Sequence, residues 1–148
     1  MDTTTLHPDF KELLKLFNEE NVEYLLIGSY AVAVYGYPRG TVDMDLWIAV
    51  NPANADRVMS ALRKFGFGNV VDREWLLDPK KIVRMGVPPY RIEISTEISG
   101  VNFDECYPRR LAAVVDGIPT QVISLPDLKI NKRAAARDKD LNDLKNLP

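Results

Sequence analysis

The chain has 148 residues, 46% hydrophobic and 27% charged, with a formal net charge of −2. That length fits one compact domain around a single core, and no stretch approaches the roughly 18 to 20 continuous apolar residues of a membrane span. The small net charge offers no polycationic footprint for nucleic acid. One cysteine, Cys106, and one histidine, His7, exclude an internal disulfide and a Cys/His zinc site.

The opening residues, MDTTTLHPDF, show no basic region followed by an apolar core, so a secretory leader is not expected. A cytoplasmic location is the expectation, and the lone cysteine suits it. Cys106 reads as a small, partly buried hydrophobe.

Pro8 to Asn21 places Phe10, Leu13, Leu14 and Phe17 at helical spacing, with Pro8 in the first turn and Asp9 and Glu12 near the positive helix end. Val22 to Ile27 is a short apolar run, the pattern of a buried strand. Ser29 to Tyr35 reads as one or two helical turns with Ser29 as N-cap. Gly36 to Gly40 breaks it, and Asp43 to Val50 is a strand.

Pro52 to Phe65 is an amphipathic helix closed by Gly66 and Gly68. Lys81 to Met85 and Tyr90 to Ile98 are strands separated by a Gly-Val-Pro-Pro loop. Asp104 and Glu105 suit a solvated helix start. Leu111 to Asp116 and Pro119 to Ile123 flank Gly117 as a hairpin, and from Leu125 the pattern is helical, in two pieces. The alternation predicts an α/β (α+β) fold, a small mixed sheet flanked by helices. Residues 1 to 148 read as one domain whose C-terminal helices span about 125 to 147.

Asp43 and Asp45 interrupt an apolar strand, DMDLWI. Alternation puts both carboxylates on one face, about 6.5 to 7 Å apart, and Met44 and Leu46 on the other. Like charges so close persist cheaply when a cation lies between them, and hard oxygen donors favour Mg²⁺ or Mn²⁺. Glu93, between Ile92 and Ile94, repeats the pattern in a later strand. On a neighbouring strand it would complete a triad suited to two divalent ions and an in-line phosphoryl displacement.

Gly28-Ser29 sits where a strand becomes a helix, a place that lets backbone approach a phosphate. Thirteen residues separate Ser29 from Asp43, enough to return the chain to the adjacent strand. Arg39 could reach a phosphate or stand as a surface arginine in its Pro-Gly loop; Thr41 lies beside it. Arg91, on the face of Glu93, could pair with it. Tyr37, Trp47 and Tyr90 could stack on a base or simply pack. From Asp127 to Lys145 six Lys and Arg residues face four Asp, a local excess that could serve a phosphate or form a solvated face.

The run Leu26-Ile27-Gly28-Ser29, then Asp43-Met44-Asp45-Leu46, then Ile92-Glu93-Ile94 resembles the signature of the polymerase-β-like nucleotidyltransferase superfamily. The filling from Tyr35 to Asp43 resembles small bacterial members akin to the nucleotidyltransferases of abortive-infection toxin–antitoxin systems. The resemblance extends from the first helix to Arg137-x-x-Asp140-Leu141. It implies the superfamily's fold and its chemistry: metal-dependent transfer of a nucleoside monophosphate from NTP (ATP among them) to a hydroxyl, with pyrophosphate leaving.

On the matching positions, Gly28 and Ser29 would hold the β- and γ-phosphates, with Arg39 and Thr41 beside them. Asp43 and Asp45 would hold two ions, Mg²⁺ or Mn²⁺, and Glu93 would complete the catalytic site and help deprotonate the acceptor. Lys129 and Lys132 fall in the first closing helix, where similar proteins place a basic side chain against the triphosphate.

About 25 residues follow the last strand, too few for a further acceptor-binding domain, so the acceptor is expected on an open surface, a second subunit or a partner protein. A protein side chain, a tRNA end and a small hydroxylated molecule all remain candidates, and the lack of a strong basic surface lowers RNA among them. The competing readings are a non-catalytic nucleotide-binding or toxin–antitoxin partner module on the same fold, and a divalent-metal phosphohydrolase. The latter leaves the Gly-Ser turn unexplained.

Overall fold

The computed structural model describes residues 5–39, 43–87 and 89–148. Among them a six-stranded mixed sheet is built from β1 (Tyr24–Ile27), β2 (Asp43–Ile48), β3 (Ile82–Met85), β4 (Arg91–Ser95), β5 (Leu111–Val115) and β6 (Ile118–Val122), in the order β3-β4-β2-β1-β6-β5. β1 and β2 are antiparallel, β2 and β4 parallel, β1 and β6 parallel, and the two edges are antiparallel hairpin partners. The helices are α1 (Pro8–Glu19), α2 (Gly28–Val34), α3 (Pro52–Phe65), α4 (Arg73–Leu77), α5 (Phe103–Cys106), α6 (Leu125–Ala135) and α7 (Asp138–Asn146), with a 3₁₀ turn at Tyr107–Arg109.

The expected mixed α/β architecture is present, and its elements follow from local chemistry. β1 is buried at every position, as its unbroken apolar run requires. α1 turns Phe10, Leu13, Leu14 and Phe17 inward, and α3 turns inward Val58, Met59 and Leu62. α3 has Pro52 in its first turn and Asn51 as N-cap, and stops at Gly66, whose φ of +96° a side chain would disfavour. Asn54, wholly buried, accepts from the Glu23 N–H and donates to the Glu23 and Ala49 carbonyls, tying α3 to the ends of β1 and β2.

Some expected boundaries shift. The first helix stops at Glu19, and Asn21 adopts a φ of +57°, so the following strand begins at Tyr24 and not Val22. β2 ends at Ile48 because Asn51 must cap α3. Ser29 is not the cap of α2: the helix already starts at Gly28, its N-cap position is Ile27, and no side chain bonds there. β4 is shorter than Tyr90 to Ile98, and α4, one turn capped by Asp72, lies outside every periodic pattern. Among the described residues no helix is long and apolar enough to cross a membrane.

Candidate active site

β1 delivers the chain to Gly28, and β2 runs back beside it so that Ile27 pairs with Asp45. Gly28 has a φ of +68°, and a Cβ there would collide with Asp45 Oδ2 and stand 3.0 Å from its Cγ. Only glycine both tolerates that backbone and leaves room for the carboxylate. Met44 and Leu46 are completely buried on the opposite face, while Asp43 and Asp45 are half-buried on the face they share. The parallel register sets Asp45 opposite Glu93 and Asp43 opposite Arg91. The three acids therefore lie on one face of two neighbouring strands.

Burial, first, and then the hydrogen-bonded Glu93 carboxyl, its charge and that of Asp43 push Asp45 up to about 7; Lys139 acts weakly the other way. Glu93 also accepts from Arg84 Nε at 2.9 Å, across the β3–β4 pair. These acids floor a cleft of about 620 Å³ whose walls include Gly28, Ser29, Asn131 and Lys139. Among the described residues no group of three or more acidic, histidine or cysteine side chains is gathered into a ready metal cage.

The wall opposite the sheet comes from α6 and α7, held by a buried ionic chain. Lys132, 4% exposed in its side chain, lies 3.1 Å from Asp140 and 3.0 Å from Asp143, both fully buried. Arg39 grips Asp143 with two bonds, Nε at 2.7 Å and Nη2 at 2.8 Å. Arg137 does the same for Asp140 from a more exposed position. Burial pushes both carboxyls up, yet the arginine bonds and Lys132 hold each below the usual range. The Asp140 bond, first, raises Arg137, and the Asp140, Asp45 and Glu93 charges add to it; its side chain lines the same cleft as Asp45 and Glu93.

Gly28, Ser29, Arg39, Asp43, Asp45, Glu93 and Lys132 thus line one cleft. Thr41 lies outside the described residues. Lys129 does not join them: its Nζ donates to the Pro148 carbonyl, just past the C-terminal end of α7. Arg39 and Lys132 reach the cleft with their charge already engaged by Asp143 and Asp140. Glu93 pairs with Arg84 and not with Arg91, because the antiparallel register of β3 sets Arg84 opposite Glu93.

Of the aromatics, Trp47 is buried edge-on against Phe103, Tyr90 stacks on His7, and the Tyr37 hydroxyl accepts from Asn142. Cys106 is buried, and burial, first, pushes its thiol up to about 11. Sequence reading had not assigned Arg84, Asn131, Arg137 or Lys139 to the site. Arg84 carries a usable signal: it points outward between buried Val83 and Met85, beside the strand of Glu93.

The fold has close counterparts in solved structures. TM1012 of Thermotoga maritima, described as a nucleotidyltransferase, superposes with a TM-score of 0.61 at 13% identity, over 97% of this chain and 95% of that one. The antibiotic-resistance factor ANT(2'')-Ia superposes with a TM-score of 0.60 at 10% identity, over 93% and 79%. A nucleotidyltransferase-like antigenic protein of Paracoccidioides brasiliensis gives 0.54 at 18% identity, over 91% and 71%. No curated protein sequence matches the chain. None of these three neighbours is described as a toxin–antitoxin protein. A family model, "nucleotidyltransferase of unknown function (DUF6036)", matches residues 4–147, and the chain belongs to that nucleotidyltransferase family.

Proposed function

We propose that the protein transfers a nucleoside monophosphate from an NTP to a hydroxyl acceptor. The observation that carries this reading is the meeting of Asp45, Glu93 and side-chain-free Gly28 at one point of the sheet. An acid pair beside an open backbone turn suits a polyphosphate whose reacting phosphorus lies over the carboxylates.

The donor set fits a divalent ion: Asp43, Asp45 and Glu93 offer only oxygen, on one face of two neighbouring strands. When bound, Mg²⁺ or Mn²⁺ would neutralise phosphate charge and polarise the reacting oxygens. Gly28 and Ser29 receive the terminal phosphates, while Arg137 and Lys139 face them from the opposite wall. The acceptor oxygen forms a bond to the α-phosphorus, the bond to the bridging oxygen breaks, and pyrophosphate leaves. Glu93 takes the proton of the acceptor hydroxyl.

Incubation with α-³²P-labelled NTPs, Mg²⁺ and cell lysate tests the assignment. Label should move to a lysate component with the wild type and not with Asp43→Ala/Asp45→Ala. Equal labelling by both proteins would remove these aspartates from the chemistry.

A further inference from the structure

The two edges of the sheet are finished differently. At one edge, β3 carries Arg84 outward and follows Lys81, charges that discourage another strand from docking. At the other, β5 reads Leu-Ala-Ala-Val-Val, with no charge, proline or glycine. Leu111 is 40% and Val114 61% exposed, and Ala112 is exposed between them. Sheets rarely leave an apolar edge of this kind open, because its unpaired N–H and C=O groups are a template for another strand.

The hydrogen-bonding phase of that edge can be read from β6. Val114 lies opposite Pro119, which has no N–H to give. The pair is therefore one that exchanges no hydrogen bonds, and the hairpin agrees: Asp116 and Gly117, with φ of +48° and +79°, form a two-residue turn closed by Val115 and Ile118. Hence the N–H and C=O of Val114, and of Ala112 two residues earlier, point away from β6 to the open edge.

We propose that β5 pairs antiparallel with β5 of a second copy of this chain, about a two-fold axis through Ala113. Only outward-pointing groups can bond, and this register sets Ala112 against Val114 of the second copy and the reverse, giving four main-chain hydrogen bonds. The same register sets Leu111 against Val115, covering the exposed leucine, and matches small Ala112 with larger Val114 on the outer face. Just beyond the strand it sets Arg110 against Asp116 at both ends. Arg110 is exposed, lying over the Tyr107 ring with bonds to Gln121 and the Tyr107 carbonyl, and Asp116, whose Oδ2 accepts from the Leu6 N–H and lies 3.7 Å from Lys11 Nζ, keeps part of its carboxylate open. The paired sheets would form one twelve-stranded sheet, closed by an isologous contact. Each cleft would lie on the far side of β6 from the axis.

The test combines sedimentation equilibrium with directed cross-linking. The wild type should sediment at twice the chain mass. Ala113→Cys should form a disulfide-linked dimer under mild oxidation, since residues 113 face each other with Cα atoms about 4.5 Å apart, while Ala112→Cys should not. Buried Cys106 gives no competing link. Val114→Pro removes only an outward N–H, so it should sediment as a monomer with unchanged circular dichroism; Val114→Lys, which asks nothing of the backbone, should do the same. A monomeric wild type at the highest soluble concentration overturns the proposal. So does a dimer that Val114→Lys leaves intact or that Ala113→Cys fails to cross-link.

Discussion

Replacing Asp45 by asparagine separates the chemical use of this carboxylate from its structural cost. In the folded protein burial, Glu93 and Asp43 raise Asp45 from 3.8 to about 7. A folded value above the unfolded one means that the native state binds the proton more tightly. The penalty is therefore absent below pH 3.8, grows between 3.8 and 7, and is complete above 7. The difference corresponds to about 4 kcal/mol, a ceiling for what the ionised group costs the fold at pH 8. The linkage relation leaves about 1.7 kcal/mol of it at pH 5. An amide of the same shape escapes the penalty. Urea melts in EDTA should show Asp45→Asn more stable than wild type at pH 8, with the gap more than halved at pH 5, while nucleotide transfer is lost. A variant less stable than wild type at pH 8, or a gap indifferent to pH, would refute the reasoning.

Gly28→Ala meets both a left-handed backbone and the Asp45 carboxylate; thermal melts should show a loss of roughly 1–3 kcal/mol, with transfer abolished. Lys132→Met leaves Asp140 and Asp143 buried with one cation fewer, and urea melts at pH 7 should show a loss of about 3–5 kcal/mol. Both acids lie below 3.8 in the fold, so their contribution is full above pH 4 and disappears as pH falls through the folded values; the Lys132→Met deficit should shrink with it in acid melts. Lys129→Ala should bind NTP like wild type in calorimetric titration, because its amine turns away from the cleft.

The strand that holds the acids was legible because alternation is a local code. Met44 and Leu46 announce one face of β2, and the acids must occupy the other. Glu93 repeats the code in β4, and the parallel β2–β4 register joins the two. The partners of Arg39 and Lys132 were not legible. Arg39 meets Asp143 across 104 positions, and no periodicity links them; the meeting exists only once α7 folds over the loop before β2. The choice of Arg84 over Arg91 is likewise a matter of register, fixed by the length of the turn between β3 and β4. A single-turn helix such as α4 is too short to generate a periodic pattern at all.

The buried ionic chain alters the electrical character of the cleft. Five basic residues line it, Arg39, Arg84, Lys132, Arg137 and Lys139, against the acids Asp43, Asp45, Glu93 and Glu97. Asp140 and Asp143, hidden behind the wall, cancel Arg39 and Lys132. Three cations then confront three acids, and a fourth, Asp45, only once the pH passes about 7, so the surface that a nucleotide meets has no positive excess although its residue list is basic. A triphosphate entering such a field gains nothing from bulk attraction. It has to arrive with its own counterions, and its affinity should rise with the divalent cation it carries.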